Sequence, residues 1–62
     1  MKFIKLTDYY DRNAVYVNVE TITDFFRDAD VTRIGIINRV NHLQVVESPE
    51  LIIKMIEGLN GN

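Results

Sequence analysis

The sequence predicts an α+β domain: an antiparallel meander of four to five short strands, covered on one face by a single C-terminal helix. Three observations predict it. Residues 47–59 combine a helix start with one apolar stripe; the segments before them alternate apolar with polar residues; and the connections between those segments are short. Parallel pairing would need crossovers of a dozen or more residues, so neighbouring strands are expected to pair antiparallel. At 62 residues the chain has room for one domain, 1–62.

Residues 2–7 form the first expected strand, with Ile4 and Leu6 on one face and Phe3, Lys5 and Thr7 on the other. The connection 8–13 has no Gly or Pro, so a primed two-residue turn is not expected; Asp11 and Asn13 support local turns in a longer loop tipped by Tyr9 and Tyr10. Residues 14–19 follow as a strand, with Val15, Val17 and Val19 on one side and Tyr16 and Asn18 on the other. Asn18 is expected to bend the chain through a side-chain bond to the backbone. In the third strand, 22–27, adjacent Phe25 and Phe26 point to opposite faces, so one of them is expected at an interface or a bulge.

Residues 28–30 read as a polar turn before the fourth strand, 31–37, in which Gly35 signals a bulge or a close approach by another group. Asn38 and Asn41 tolerate left-handed backbone in the next turn. The last strand, 42–46, has Leu43 and Val45 on one face. The helix follows. Ser48 is the expected N-cap, Pro49 suits the first helical position, and Glu47 and Glu50 favour the positive end of the dipole. Ile52, Met55, Ile56 and Leu59 make one stripe, Leu51 and Ile53 lie off it, and Gly58 and Gly61 are the expected stops. A helix this short is marginal in isolation and is expected to form by docking.

A chain of this size buries only about 60% of the surface that its unfolded form exposes, and needs a supplement to its core. With no cysteine and a single histidine, disulfides and ordinary zinc sites are not available, so self-association is the expected supplement. The formal charge of −2 and pI near 5.1 lack the basic footprint of nucleic-acid binding. No apolar run approaches the ~20 residues of a membrane span, and residues 1–10 alternate instead of forming a leader's apolar core. A cytoplasmic protein is expected.

No catalytic set can be assembled, and no metal or cofactor is expected. Phosphate-loop, nucleophile-elbow and HExxH patterns are missing. Ser48 precedes Pro49 and reads as a cap, and Asp24, Asp28 and Asp30 miss the calcium-loop spacing and read as a solvated turn. The candidate partner-binding residues are Tyr9, Tyr10, Tyr16, Phe25 and Phe26, because aromatic rings exceed what so small a core needs and are enriched at binding surfaces. Phe3, Tyr16 and Ile37 suggest a second apolar face able to meet the same patch on another copy. An alternative set, Arg33, Arg39 and His42, would hold a nucleotide-like anion between subunits.

Ile4-Lys5-Leu6-Thr7, Val17-Asn18, Ile22, Thr32-Arg33-Ile34 and Val45-Val46-Glu47-Ser48 together resemble the small flagellar and swarming-motility proteins of bacteria, and similar short phage or mobile-element chains. The resemblance covers most of the chain in short pieces and implies strands closed by a C-terminal helix. It departs at the turns: Asp11-Arg12-Asn13 stands where that family places Asn-Gly, and 38–42 lacks the Gly-containing turn before the last strand. The expected function is that of a small non-enzymatic homo-oligomer, a dimer or higher, that binds a protein partner, such as a phage-encoded modulator of a host protein. The alternative is a binder that sequesters a nucleotide-like anion.

Overall fold

The computed structural model describes residues 2–60, the side chain of Asn60 excepted. It contains five strands and one α-helix: β1 (Phe3–Thr7), β2 (Ala14–Asn18), β3 (Ile22–Asp28), β4 (Val31–Ile36), β5 (Leu43–Val45) and α1 (Pro49–Asn60), with a 3-10 turn over Val19–Thr21. The α+β class and the antiparallel meander are as the alternation predicts. The strands form two sheets, β1-β2 and β3-β4-β5.

An isolated antiparallel bridge between Asp8 and Val45 stitches the two sheets together. The Tyr9 amide donates to the Gln44 carbonyl at 3.0 Å and the Val46 amide to the Thr7 carbonyl at 3.0 Å. The order across the stitch is therefore β2-β1-β5-β4-β3, with β2 and β3 as outer edges. Both sheets turn one face to a common core of Ile4, Leu6, Val17, Ile34, Leu43, Val45 and Ile52. Alternation places these residues correctly, since register pairs Ile4 with Val17 and Ile34 with Leu43 on the inward side.

The break between the sheets is the corner that Asn18 builds. Its side-chain oxygen accepts the Glu20 amide at 3.0 Å, and its carbonyl accepts the Thr21 hydroxyl at 2.7 Å. This turn takes Val19 out of β2, so the strand ends one residue earlier than the apolar alternation suggests. The other ends also tighten: β4 stops at Ile36 and β5 covers only Leu43–Val45.

Gly35 is a close-approach position, as expected. A Cβ there would collide with the side chains of Asp24 and Thr23, and the β3–β4 register slips between Ile22 and Asp24. Phe25 falls on the core side and Phe26 on the outer side. That resolves the adjacent pair.

In α1, Ser48 caps as expected, its Oγ accepting the Leu51 amide at 3.2 Å. Ile52 is fully buried, with Met55 and Ile56 packed against the core. Two expectations for the helix need correction. Leu59 is exposed and is not part of the buried stripe. Gly58 does not end the helix, which continues to Asn60; nothing lies within 4 Å of a Cβ built at Gly58, so the position is open and carries no terminating contact. Gly61, the second expected stop, lies outside the described residues.

Candidate functional site

The loop between β1 and β2 is held from within. The Asp8 carboxylate accepts the amides of Tyr10 at 2.8 Å and Asp11 at 3.3 Å, and Asp11 accepts the Asn13 amide at 2.9 Å. Arg12 takes a left-handed φ of 63° while its amide bonds the Asp8 carbonyl. Asp11 supports the turn as expected, but Asn13 contributes only its amide and carbonyl, and the other carboxylate acceptor is Asp8, in place of the absent glycine.

The closed loop lays its two rings across the outer face of β4 and β5. They meet edge to face with centroids 5.3 Å apart. The Tyr9 hydroxyl donates to Asp30 at 3.1 Å and the Tyr10 hydroxyl to the Gln44 side-chain oxygen at 2.9 Å. The Arg12 guanidinium stands 5.4 Å from the Tyr9 ring centre. The hydrogen bond to Asp30, reinforced by that carboxylate's charge, holds the Tyr9 phenol above its ordinary pKa of 10.0. The tyrosines are thus anchored, not free loop tips.

Register sets the rest of this outer face. Phe26 stands opposite Arg33, and Arg33 opposite Gln44, so the row continues to Tyr10. Phe26 meets His42 edge to face at 5.6 Å. Tyr9, Tyr10 and Phe26 therefore share one face of β3-β4-β5. Tyr16 belongs elsewhere: it is 64% exposed on the outer face of β2, paired in register with Lys5 and diagonal to Phe3. Phe25 leaves the partner-binding set, because its position in β3 turns it inward against the core.

The alternative set divides as well. Arg33 is tied to Asp28 at 2.8 Å in the middle of the outer row. Arg39 and His42 instead line a shallow depression of about 140 Å³ with Thr23, Asp24, Gly35 and Asn41. Arg33 shares the outer face with Gly35 but is not on that lining; its guanidinium is engaged by Asp28 instead. Arg27, a third arginine that could have joined Arg33 and Arg39 around an anion, is instead tied into the fold. Its guanidinium donates to the buried Thr32 hydroxyl at 2.9 Å and to the carbonyls of Ala29 at 3.1 Å and Val46 at 3.4 Å.

Sequence reading missed Gln44 as the anchor of Tyr10 and Val40 as an exposed apolar residue; Val40 is 96% exposed in the turn before β5. Gln44 had one available signal, its outward place in a strand whose neighbours face in. Among the described residues no group of three or more His, Asp or Glu side chains is placed to hold a metal ion, and no helix is long and apolar enough to cross a membrane.

Fold and surface together define a small α+β domain with aromatic side chains on the outer faces of both sheets. No family model, no characterised protein and no solved structure matches the chain.

Proposed function

We propose that this chain is a non-enzymatic interaction protein of the cytoplasm, working as a homo-oligomer that binds a protein partner through exposed aromatic and apolar side chains. One observation carries the reading: among the described residues, nine large hydrophobic side chains are exposed while eight hydrophobic side chains are buried. Phe3, Tyr16, Phe26, Ile37, Leu51 and Ile53 are all at least 43% exposed. Single exposed apolar residues are ordinary, but this many on a domain with so small a core leave both sheets and the helix with surface suited to association. Rings already held in place, such as Tyr10 on Gln44, lose little side-chain entropy on binding. A phage- or mobile-element-encoded modulator of a host protein, or a small motility protein of the kind the sequence resembles, would use such a surface.

Mass measurement in solution tests the reading. Sedimentation at micromolar concentration should give at least twice the chain mass of 7.2 kDa. A monomer at every concentration measured would remove the homo-oligomer.

A second reading has its own support. Arg39 makes no side-chain hydrogen bond or ion pair among the described residues and shares a depression with His42, as an anion binder requires. Asp24 on the same lining weighs against it. Calorimetry with a nucleotide panel decides: binding abolished by Arg39→Ala favours this reading, and no binding ends it.

A further inference from the structure

The most informative unpartnered feature is the open edge of β2. The Val19 amide donates to the Lys2 carbonyl and the Asp8 amide to the Asn13 carbonyl, each at 2.9 Å. These two bonds flank the β1–β2 ladder and fix its parity: Ile4–Val17 and Leu6–Val15 are the hydrogen-bonded pairs. Ala14, Tyr16 and Asn18 therefore turn their main-chain N–H and C=O groups away from β1, and no other strand takes them up.

The two edges of the stitched sheet are treated differently. The β3 edge carries a bulge and the charges of Asp24, Arg27 and Asp28, devices that discourage pairing. The β2 edge has none of them: Ala14-Val15-Tyr16-Val17-Asn18 is uncharged, regular and free of proline. It is also nearly palindromic about Tyr16. Beside it lies an open groove of about 180 Å³ whose far side includes Ile36 and Leu43.

We propose that β2 is a self-pairing edge, on which a second copy of this chain docks its own β2 antiparallel about a two-fold axis at Tyr16. The proposal rests on the homo-oligomer reading above and names its interface. In this register Tyr16 faces Tyr16 of the second copy and the two exchange main-chain hydrogen bonds, while Ala14 and Asn18 pair in the same way on either side. The Asn18 carbonyl already accepts the Thr21 hydroxyl and has a second lone pair for the partner amide. Val15 falls opposite Val17 of the other copy on the inward side, over the groove, where Ile36 and Leu43 supply apolar surface and Thr21 and Arg39 the polar rim. The two tyrosine rings meet on the outer side, a favourable cross-strand pair. No like charges oppose one another. A second copy is the occupant that this palindrome selects, since an unrelated strand would gain no such match.

The test uses the full chain and two variants at the same position. The Tyr16 amide takes no part in the β1–β2 ladder, so Tyr16→Pro should keep the far-UV circular dichroism spectrum and yield monomers. Tyr16→Lys opposes like charges across the axis and should weaken dimerisation about tenfold or more. Glu57→Lys, on the exposed side of α1, should leave the dimer intact. Amide exchange at Tyr16 should slow as wild-type concentration rises. Wild-type dimers that persist with Tyr16→Lys, or whose Tyr16 amide stays unprotected, would overturn the β2 interface and leave the homo-oligomer standing. Wild type that remains monomeric would overturn both. If Tyr16→Pro fails to fold, Tyr16→Lys and the exchange data decide.

Discussion

The Glu47 carboxylate holds Thr7 at two atoms: one oxygen accepts the Thr7 amide and the other its hydroxyl, each at 2.9 Å. The two residues are 40 apart in sequence, and the contact ties the end of β1 to the residue before the Ser48 cap. Helix entry and sheet stitch are thereby one unit. The stitch itself ends on the Val46 amide bonded to the Thr7 carbonyl, so Thr7 uses its amide, carbonyl and hydroxyl to organise the join.

Truncating either side of this clamp should be costly in unequal amounts. Glu47→Ala leaves the half-buried Thr7 amide and hydroxyl without acceptors and should cost about 1–3 kcal/mol. Thr7→Val keeps the amide bond and should cost less, about 1 kcal/mol. Urea unfolding of both singles and the double should show a loss for the double smaller than the sum of the singles, because the double removes one interaction only once. Additive losses would mean that the clamp is not energetically joined.

The turn between β3 and β4 holds an avoidable strain. Asp28 pairs with Val31, leaving Ala29 and Asp30 as a two-residue loop, and Ala29 sits at φ 59°. The left-handed region costs a residue with a Cβ about 1 kcal/mol, and hairpin turns of this length favour glycine there. Ala29→Gly should therefore stabilise the domain, raising Tm by about 4–8 °C per kcal/mol gained. The Arg27 guanidinium bonds the Ala29 carbonyl and should retain the loop's shape in the variant.

Gly35 should resist substitution for the opposite reason. An added Cβ would strike the Asp24 carboxylate and the Thr23 hydroxyl, which are bonded to each other at 2.9 Å. Gly35→Ala should cost about 1–3 kcal/mol by overpacking. In a Thr23→Ala, Asp24→Ala background the loss should vanish, and the lower backbone entropy of alanine in the unfolded chain should then favour the substitution. Thermal melts of the three chains check this.

These cases mark what the chain makes legible. Alternation identified Ile4, Leu6, Ile34 and Val45 as inward because the strand period of two depends on local geometry alone. The Ser48 cap and the Asn18 corner were readable for the same reason: each is satisfied within three residues. Thr7–Glu47, Arg27–Thr32 and Tyr10–Gln44 were not, since each joins polar groups whose encounter depends on the folded path of the chain. The candidate site suffered similarly. That Phe25 faces in and Phe26 out follows from where the bulge falls, and nothing in the strand's composition places a bulge between Ile22 and Asp24.

The Tyr9–Asp30 contact makes a prediction at alkaline pH. Asp30 accepts the Tyr9 hydroxyl at 3.1 Å and opposes formation of a second negative charge beside it, so the folded-state pKa lies above 10.0, the ordinary value. A group whose folded pKa is raised binds its proton more tightly in the native state. Its contribution to stability is complete below the unfolded pKa and is lost as pH rises through the folded pKa. The contribution of Tyr9 should therefore be constant through neutral pH and decline above about pH 10. Asp30→Asn keeps an acceptor but removes the charge, and should lower the Tyr9 pKa, read as an earlier rise in phenolate absorbance. Tyr9→Phe removes that titration altogether and identifies it among the three tyrosines. An unchanged phenolate curve in Asp30→Asn would mean that the carboxylate does not control Tyr9. A lowered curve together with weaker stability at pH 7 would show that the same contact fastens the β1–β2 loop to the β3–β4 turn.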